Sequence, residues 1–155
     1  MKNLKENKII YIIIILSLIA ISIIYIKQKE STHTITTGTY DESDTKTTWT
    51  DGQTITFTED KTNNVSITSG GTYILTGKSN NSSITINTED EVVLVLDNLE
   101  LTNDKGPAIL VENAKKTIIT LKENTENKLS DGNNENIDYD AVIYSKDDLT
   151  INGEG

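Results

Sequence analysis

The sequence predicts an all-β fold, a solenoid of short stacked strands, preceded by a single apolar N-terminal helix. Three observations predict it. From Thr54 onward, short runs rich in Ile, Val, Leu and Thr alternate with clusters of Asn, Asp, Gly and Ser. No helical period of apolar residues appears outside the N-terminal stretch. Two successive strand-like runs recur at the same spacing of 25 residues, which fits a repeat architecture better than a sandwich.

The N-terminal segment comes first. Residues 1–8, MKNLKENK, carry Lys2, Lys5 and Lys8 and are assigned to the cytoplasm. Residues 9–26, IIYIIIILSLIAISIIYI, are uncharged. As a helix this length spans about 27 Å, close to the hydrocarbon thickness of a bilayer. In lipid the backbone must bond internally, so a transmembrane helix is expected. Tyr25, Lys27 and Lys29 suit the outer interface. The alternative is a cleaved secretory signal, with Ala20-Ile21-Ser22 as the processing site. In both cases the lysines before the span place the rest of the chain outside the cell, so a single-pass cell-membrane protein is expected. Residues 27–50 are Thr-rich and polar and read as a linker. The chain's single histidine, His33, lies there.

Residues 51–155 form the β domain. Its runs are TITFT, VSIT, TYILT, SITIN, VVLVL, LELT, AILV, TIITL, AVIY and LTIN. SITI at 83–86 is matched 25 residues later by AILV at 108–111, and VVLVL at 92–96 by TIITL at 117–121. Three short strands per coil are expected, with alternate apolar residues pointing inward. The next coil keeps the pattern at a spacing of 33, from Ala108 to Ala141, and then 32, from Thr117 to Leu149. The extra length is the polar insertion GNNENIDYD. Trp49, just before the first strand, is expected to plug the N-terminal end of the stack. The final GEG reads as a turn with an open edge after it. A C-terminally truncated product is therefore expected, the alternative being a complete chain whose last coil frays.

Composition narrows the chemistry. Without cysteine there are no disulfides, thiolate metal sites or lipid-modified cysteine. All 14 basic residues are lysine. From residue 31 onward, 22 Asp and Glu face 9 Lys, a net charge of −13. Such a field disfavours nucleic acid and anionic lipid. It suits either plain solubility or hard cations.

From about Trp49 to the end, the chain resembles the carbohydrate-binding β-helix family first described from a pectin- and cellulose-binding clostridial protein. The resemblance is carried by SGGTY at 69–73 with LTG at 75–77, VLVLDN at 93–98, GPAI at 106–109, NKLSDG at 127–132 and SKDDLTING at 145–153. It implies a right-handed parallel β-helix that binds calcium and acidic polysaccharide, chiefly polygalacturonate, without cleaving it. In that family the SKDDL motif recurs in later coils, whereas here it occurs once.

How such an acidic domain holds a polyanion is the chemical question. A divalent cation shared between protein and sugar carboxylates removes the repulsion. The expected calcium ligands are Asp147 and Asp148 at one turn, Asp138 and Asp140 at the end of the insertion, and Asp131 at the turn before it. The competing reading is that these aspartates bond turn amides, as Asp commonly does. It applies more strongly to Asp97-Asn98 and Asn103-Asp104. Lys146 is the candidate for a sugar carboxylate, with Lys115 and Lys116 in the same role one coil earlier. Tyr139 and Tyr144 flank the acidic cluster and are candidates for stacking on a sugar ring, the alternative for Tyr144 being a place in a ladder of the β-helix.

Catalysis finds no set of named roles. A pectate lyase uses calcium and a base that is commonly arginine, and there is no arginine. A Ser-His-Asp triad has only the linker histidine to draw on. The expected protein is thus a calcium-dependent binding module for acidic polysaccharide, not an enzyme. A calcium-dependent lyase and a non-binding surface or adhesion spacer are the alternatives.

Overall fold

Alternating side chains fix ten strands in the computed structural model, which describes residues 40–132 and 139–155. In chain order these are β1 (Gln53–Phe57), β2 (Val65–Ile67), β3 (Gly71–Ser79), β4 (Ile84–Asn87) and β5 (Glu91–Asn103). They continue with β6 (Ile109–Asn113), β7 (Lys116–Leu121), β8 (Lys128–Asp131), β9 (Ile143–Ser145) and β10 (Leu149–Gly153). One short helix, α1 (Glu42–Thr45), precedes them. All of these belong to a compact unit running from Tyr40 to Gly155.

The chain alternates between two sheets. The larger has the order β1-β3-β5-β7-β10, with β8 pairing on β5; the smaller has the order β2-β4-β6-β9. Every pairing is parallel. Parallel register puts like residues side by side, so the apolar positions form rows. Val92 and Leu94 of β5 lie against Thr117 and Ile119 of β7. Ile84 and Ile86 of β4 lie against Ile109 and Val111 of β6. These rows are almost fully buried in one core with Leu75, Leu96 and Leu99. Burying each such side chain stabilises the fold by about 1.5–3 kcal/mol.

The all-β expectation and the 25-residue register are both met. The right-handed parallel β-helix is not: the strands make two parallel sheets, and the chain does not close into a helix. Part of the reason lies in β5. VVLVL and LELT, read from sequence as separate strands of a coil, are one continuous strand, Glu91–Asn103. The Asp97-Asn98 pair that looked like a turn is a bulge. Thr76 pairs with Asp97 and Gly77 with Leu99, leaving Asn98 as the extra residue at φ 53°. The transmembrane helix expected at 9–26 lies outside the described residues. Among the described residues, no helix is long and apolar enough to cross a membrane.

A second correction concerns register. Ile109 pairs with Ile143, Leu110 with Tyr144 and Val111 with Ser145, a spacing of 34 instead of the expected 33. A one-residue slip moves every side chain to the other face. Tyr144 therefore continues the row Ser66, Thr85, Leu110 on the outer side of the smaller sheet. The next spacing, Thr117 to Leu149, is 32 as expected.

Within the segment read as linker, residues 40–50 dock on the outer face of the larger sheet. Asp41 caps α1 by accepting from the amides of Ser43 and Asp44, and Asp44 reaches back to the Asp41 amide. Lys116 of β7 then clamps both carboxylates, at 2.9 Å and 2.8 Å. Asn152 of β10 donates to the carbonyls of Asp44 and Lys46, both at 3.0 Å. Trp49 does not plug the end of the stack. It packs with Ile74 over the outward-facing Val93, Val95 and Ile118, and its indole N–H donates to the Thr120 hydroxyl at 3.0 Å.

Candidate functional site

The outward row of the smaller sheet ends in Tyr144, and the chain then turns through Ser145 to Lys146. The Lys146 amide donates to the Val111 carbonyl at 3.1 Å, which fixes where its side chain departs. Tyr139 lies just ahead of the same strand. Its ring centroid is 4.6 Å from that of Tyr144, the planes tilted by 51°. The Lys146 ammonium stands 5.2 Å from the Tyr139 centroid, within reach of a cation–π attraction. Lys146 has a raised pKa, first through its hydrogen bond to the Tyr139 side chain and then through charge, against a small opposing effect of burial. Two half-buried rings and an exposed ammonium thus converge on one surface. Chemically this is a tilted aromatic notch with a fixed cation at its rim.

Of the five residues assigned from sequence to sugar contact, the structure brings together Tyr139, Tyr144 and Lys146 and leaves Lys115 and Lys116 elsewhere. The five aspartates fare differently. The Asp147 carboxylate accepts from the amide of Ala114, between β6 and β7, at 2.9 Å. Its own turn is closed by the Ser145 hydroxyl, which donates to the Asp147 carbonyl at 2.8 Å and accepts from its amide at 3.3 Å. This is the turn-amide role. Asp90 repeats it two turns earlier, accepting from the Gly70 amide at 3.3 Å.

Asp148 is exposed, and its carbonyl accepts from the Thr117 amide at 2.8 Å. Asp140 is exposed as well, Asp131 ends β8 beside Asn103, and Asp138 lies outside the described residues. Among the described residues, no group of three or more His, Asp or Glu side chains gathers as a metal site. Those residues on their own do not make a calcium cage, which needs six to eight oxygens.

The remaining candidates are structural. Lys116 belongs to the clamp on α1, and the Lys115 amide donates to the Asp90 carbonyl at 3.1 Å. Asn103 closes its own turn by donating to the Pro107 carbonyl at 2.8 Å and accepting from the Lys105 amide at 3.1 Å. Asp97 pairs with Lys122 at 2.5 Å.

Comparison with known proteins adds a family. The sequence pattern described as "Carbohydrate-binding domain-containing protein" matches residues 59–155. A protein of Acetivibrio thermocellus with the same description is 36% identical over 99 residues, covering 59% of this chain and 35% of that relative. The chain therefore spans about a third of the length of the relative it matches. No solved structure matches it.

Proposed function

The chain belongs to the carbohydrate-binding domain family, and from that premise we propose that it is a binding module for acidic polysaccharide, held at the outer face of a cell membrane. The observation that carries the proposal is the meeting of Tyr139, Tyr144 and Lys146 on one surface. The apolar face of a pyranose packs against a tyrosine ring, while ring hydroxyls hydrogen-bond at its polar edge. A uronate adds a carboxylate, for which the Lys146 ammonium is the complementary charge. The neighbouring Asp147 and Asp148 carry opposite charge, so a polyanion is tolerated only where the lysine or a shared cation meets it. The lysines before the apolar stretch at 9–26 support the outward placement.

The expected calcium bridge finds no protein cage among the described residues, so the reading rests on the two rings and the lysine. Affinity electrophoresis of the full chain through polygalacturonate, in a sugar-free detergent, tests both points. Retention that drops in Tyr144→Ala and in Lys146→Gln supports the site. Loss of retention on chelation adds calcium to it, while equal retention in calcium and in chelator removes calcium from the reading. Undiminished retention in both variants overturns the site. Unsaturated ends absorbing in the ultraviolet after incubation with pectate would point to a lyase instead.

A further inference from the structure

Residues 40–50 run across the outer face of the larger sheet from its last strand towards its first. At one end Lys116 of β7 holds the carboxylates of Asp41 and Asp44. On β10, the Thr150 hydroxyl donates to Asp44, and the Asn152 amide donates to the carbonyls of Asp44 and Lys46. Further on, Trp49 lies on Val93 and Val95 of β5 and Ile118 of β7, beside Ile74 of β3. The chain then enters β1 at Gln53. From β10 to β1 is four strand spacings, about 19 Å.

The fastening is linked in series. The Trp49 indole N–H donates to the Thr120 hydroxyl at 3.0 Å, and that hydroxyl donates to the Asn152 side-chain oxygen at 2.8 Å. The same Asn152 amide then holds the backbone of Asp44 and Lys46. Hydrogen bonds joined in this way strengthen one another, so the loss of one weakens the rest. Among the described residues no strand pairs with 40–50. Side chains therefore fasten this segment, where backbone ladders fasten the strands.

The placement decides how a pull along the chain is carried. The clamp sits on β7 and β10, and Glu154 directly follows β10. A pull between Tyr40 and Glu154 therefore passes through the clamp, β7 and β10, and bypasses β1, β3 and β5. Once the clamp opens, the same pull reaches β1 at the other side of the sheet and loads each ladder in between. A few side-chain bonds give way before strands that share ladders and a buried core.

We propose that residues 40–50 are a mechanical latch, which carries load through the clamp on β7 and β10 and opens as a unit before any strand is lost. A chain held at a membrane through its N-terminal side, as read above, receives its load at this point. The latch itself needs only residues 40–155, so it stands or falls independently of the sugar site and of the membrane placement.

Single-molecule pulling of the full chain in detergent tests it. The chain has no cysteine, so two introduced ones define the handles. Tyr40→Cys and Glu154→Cys use exposed positions on either side of the clamp. An early step that lengthens the chain by about 40 Å, the extended reach of residues 40–51, should precede unfolding and reverse when the force drops. With Asp51→Cys in place of Tyr40→Cys, the pull enters past the latch and the early step should vanish. Lys116→Met, pulled from Tyr40→Cys, should lower the force of the early step or abolish it. If that variant loses its cooperative melt, Asn152→Ala breaks the series at its middle and should act in the same direction. No early step from the Tyr40 handle overturns the inference. So does an early step that persists from the Asp51 handle, or one undiminished in the folded clamp variants.

Discussion

The Asp147 carboxylate accepts a hydrogen bond from the backbone amide of Ala114, 2.9 Å away in the turn between β6 and β7. Ala114 is buried, so that amide has little access to water. Replacing Asp147 by Ala leaves the donor without its partner, a loss of about 1–3 kcal/mol. Asp147→Asn keeps an acceptor oxygen and should cost less. The neighbouring Asp148→Ala, at an exposed side chain, should stay within about 0.5 kcal/mol. Urea unfolding of the three variants checks the order. A loss for Asp148→Ala as large as that for Asp147→Ala would contradict it.

Much of the strand pairing was legible because parallel pairing copies sequence spacing into space. The match of 92–96 to 117–121 is the observed register of β5 on β7. The next match failed by one residue because it was anchored on Ala108 and Ala141, whereas the structure aligns Ile109 with Ile143. Two short apolar runs either side of a polar insertion leave the register open, and the wrong choice turns Tyr144 from outward to inward. The split of β5 at Asp97-Asn98 failed for a related reason: a bulge and a turn use the same residue types.

The clustering of the candidate site was legible where Tyr139, Tyr144 and Lys146 lie close in sequence, so that local geometry brings them together; an acidic cage drawn from several strands depended on long-range placement. The covering of the outer face left one sign, the unbroken apolar run Val92 to Leu96, since a strand buried on both faces loses its alternation. The residue that covers it, Trp49, sits in a segment whose composition reads as linker.

The clamp on α1 makes that covering acid-sensitive. The Asp41 carboxyl is held far below its ordinary value near 3.8, by the Ser43 hydroxyl and then Lys116. Asp44 is lowered by Lys116 and then Thr150. For Lys116, burial opposes the charge, but the hydrogen bonds to Asp44 and Asp41 outweigh it and raise its pKa. A depressed carboxylate contributes its full stabilisation above the unfolded value and loses it as pH falls through the folded one. Docking should thus hold from neutral pH down to about pH 4 and weaken in stronger acid. Trp49 emission should shift to longer wavelength there, and in Lys116→Met it should already be shifted at pH 7. An emission in Lys116→Met identical to that of the parent at all pH values would remove the clamp from the account.

At the tyrosine site, Lys146→Gln removes the charge complementary to a uronate while keeping a hydrogen-bond donor. Charged hydrogen bonds contribute about 1.5–3 kcal/mol, so polygalacturonate binding should weaken by about tenfold or more. Lys146→Arg should retain most of it. Screening gives an independent check, because an exposed pairing of this kind falls off with added salt. Salt also relieves the repulsion between this acidic domain and the polyanion, so the test is the difference: rising sodium chloride should favour Lys146→Gln relative to the parent. Parallel salt curves for the two would place the attraction elsewhere.

The corner at Gly77 gives the most direct test of how closely β1 and β3 approach. Gly77 has φ +94°, and a Cβ there would lie 2.2 Å from the carbonyl oxygen of Phe57 on the strand beside it. Gly71 also has positive φ, +135°, but a Cβ there would meet nothing within 4 Å. The two positions separate backbone strain from collision. Gly71→Ala should cost only the strain of an unfavourable φ, about 1–3 kcal/mol. Gly77→Ala adds a clash with backbone, which cannot rotate away as a side chain can, so it should cost at least about 2 kcal/mol more. Because Phe57 is buried beneath that carbonyl, the strand β1 must shift to relieve the clash, and the loss should appear as reduced amide protection along β1 as well as a lower unfolding midpoint. Equal losses for the two alanine variants would mean that β1 and β3 do not approach at this corner as the structure places them.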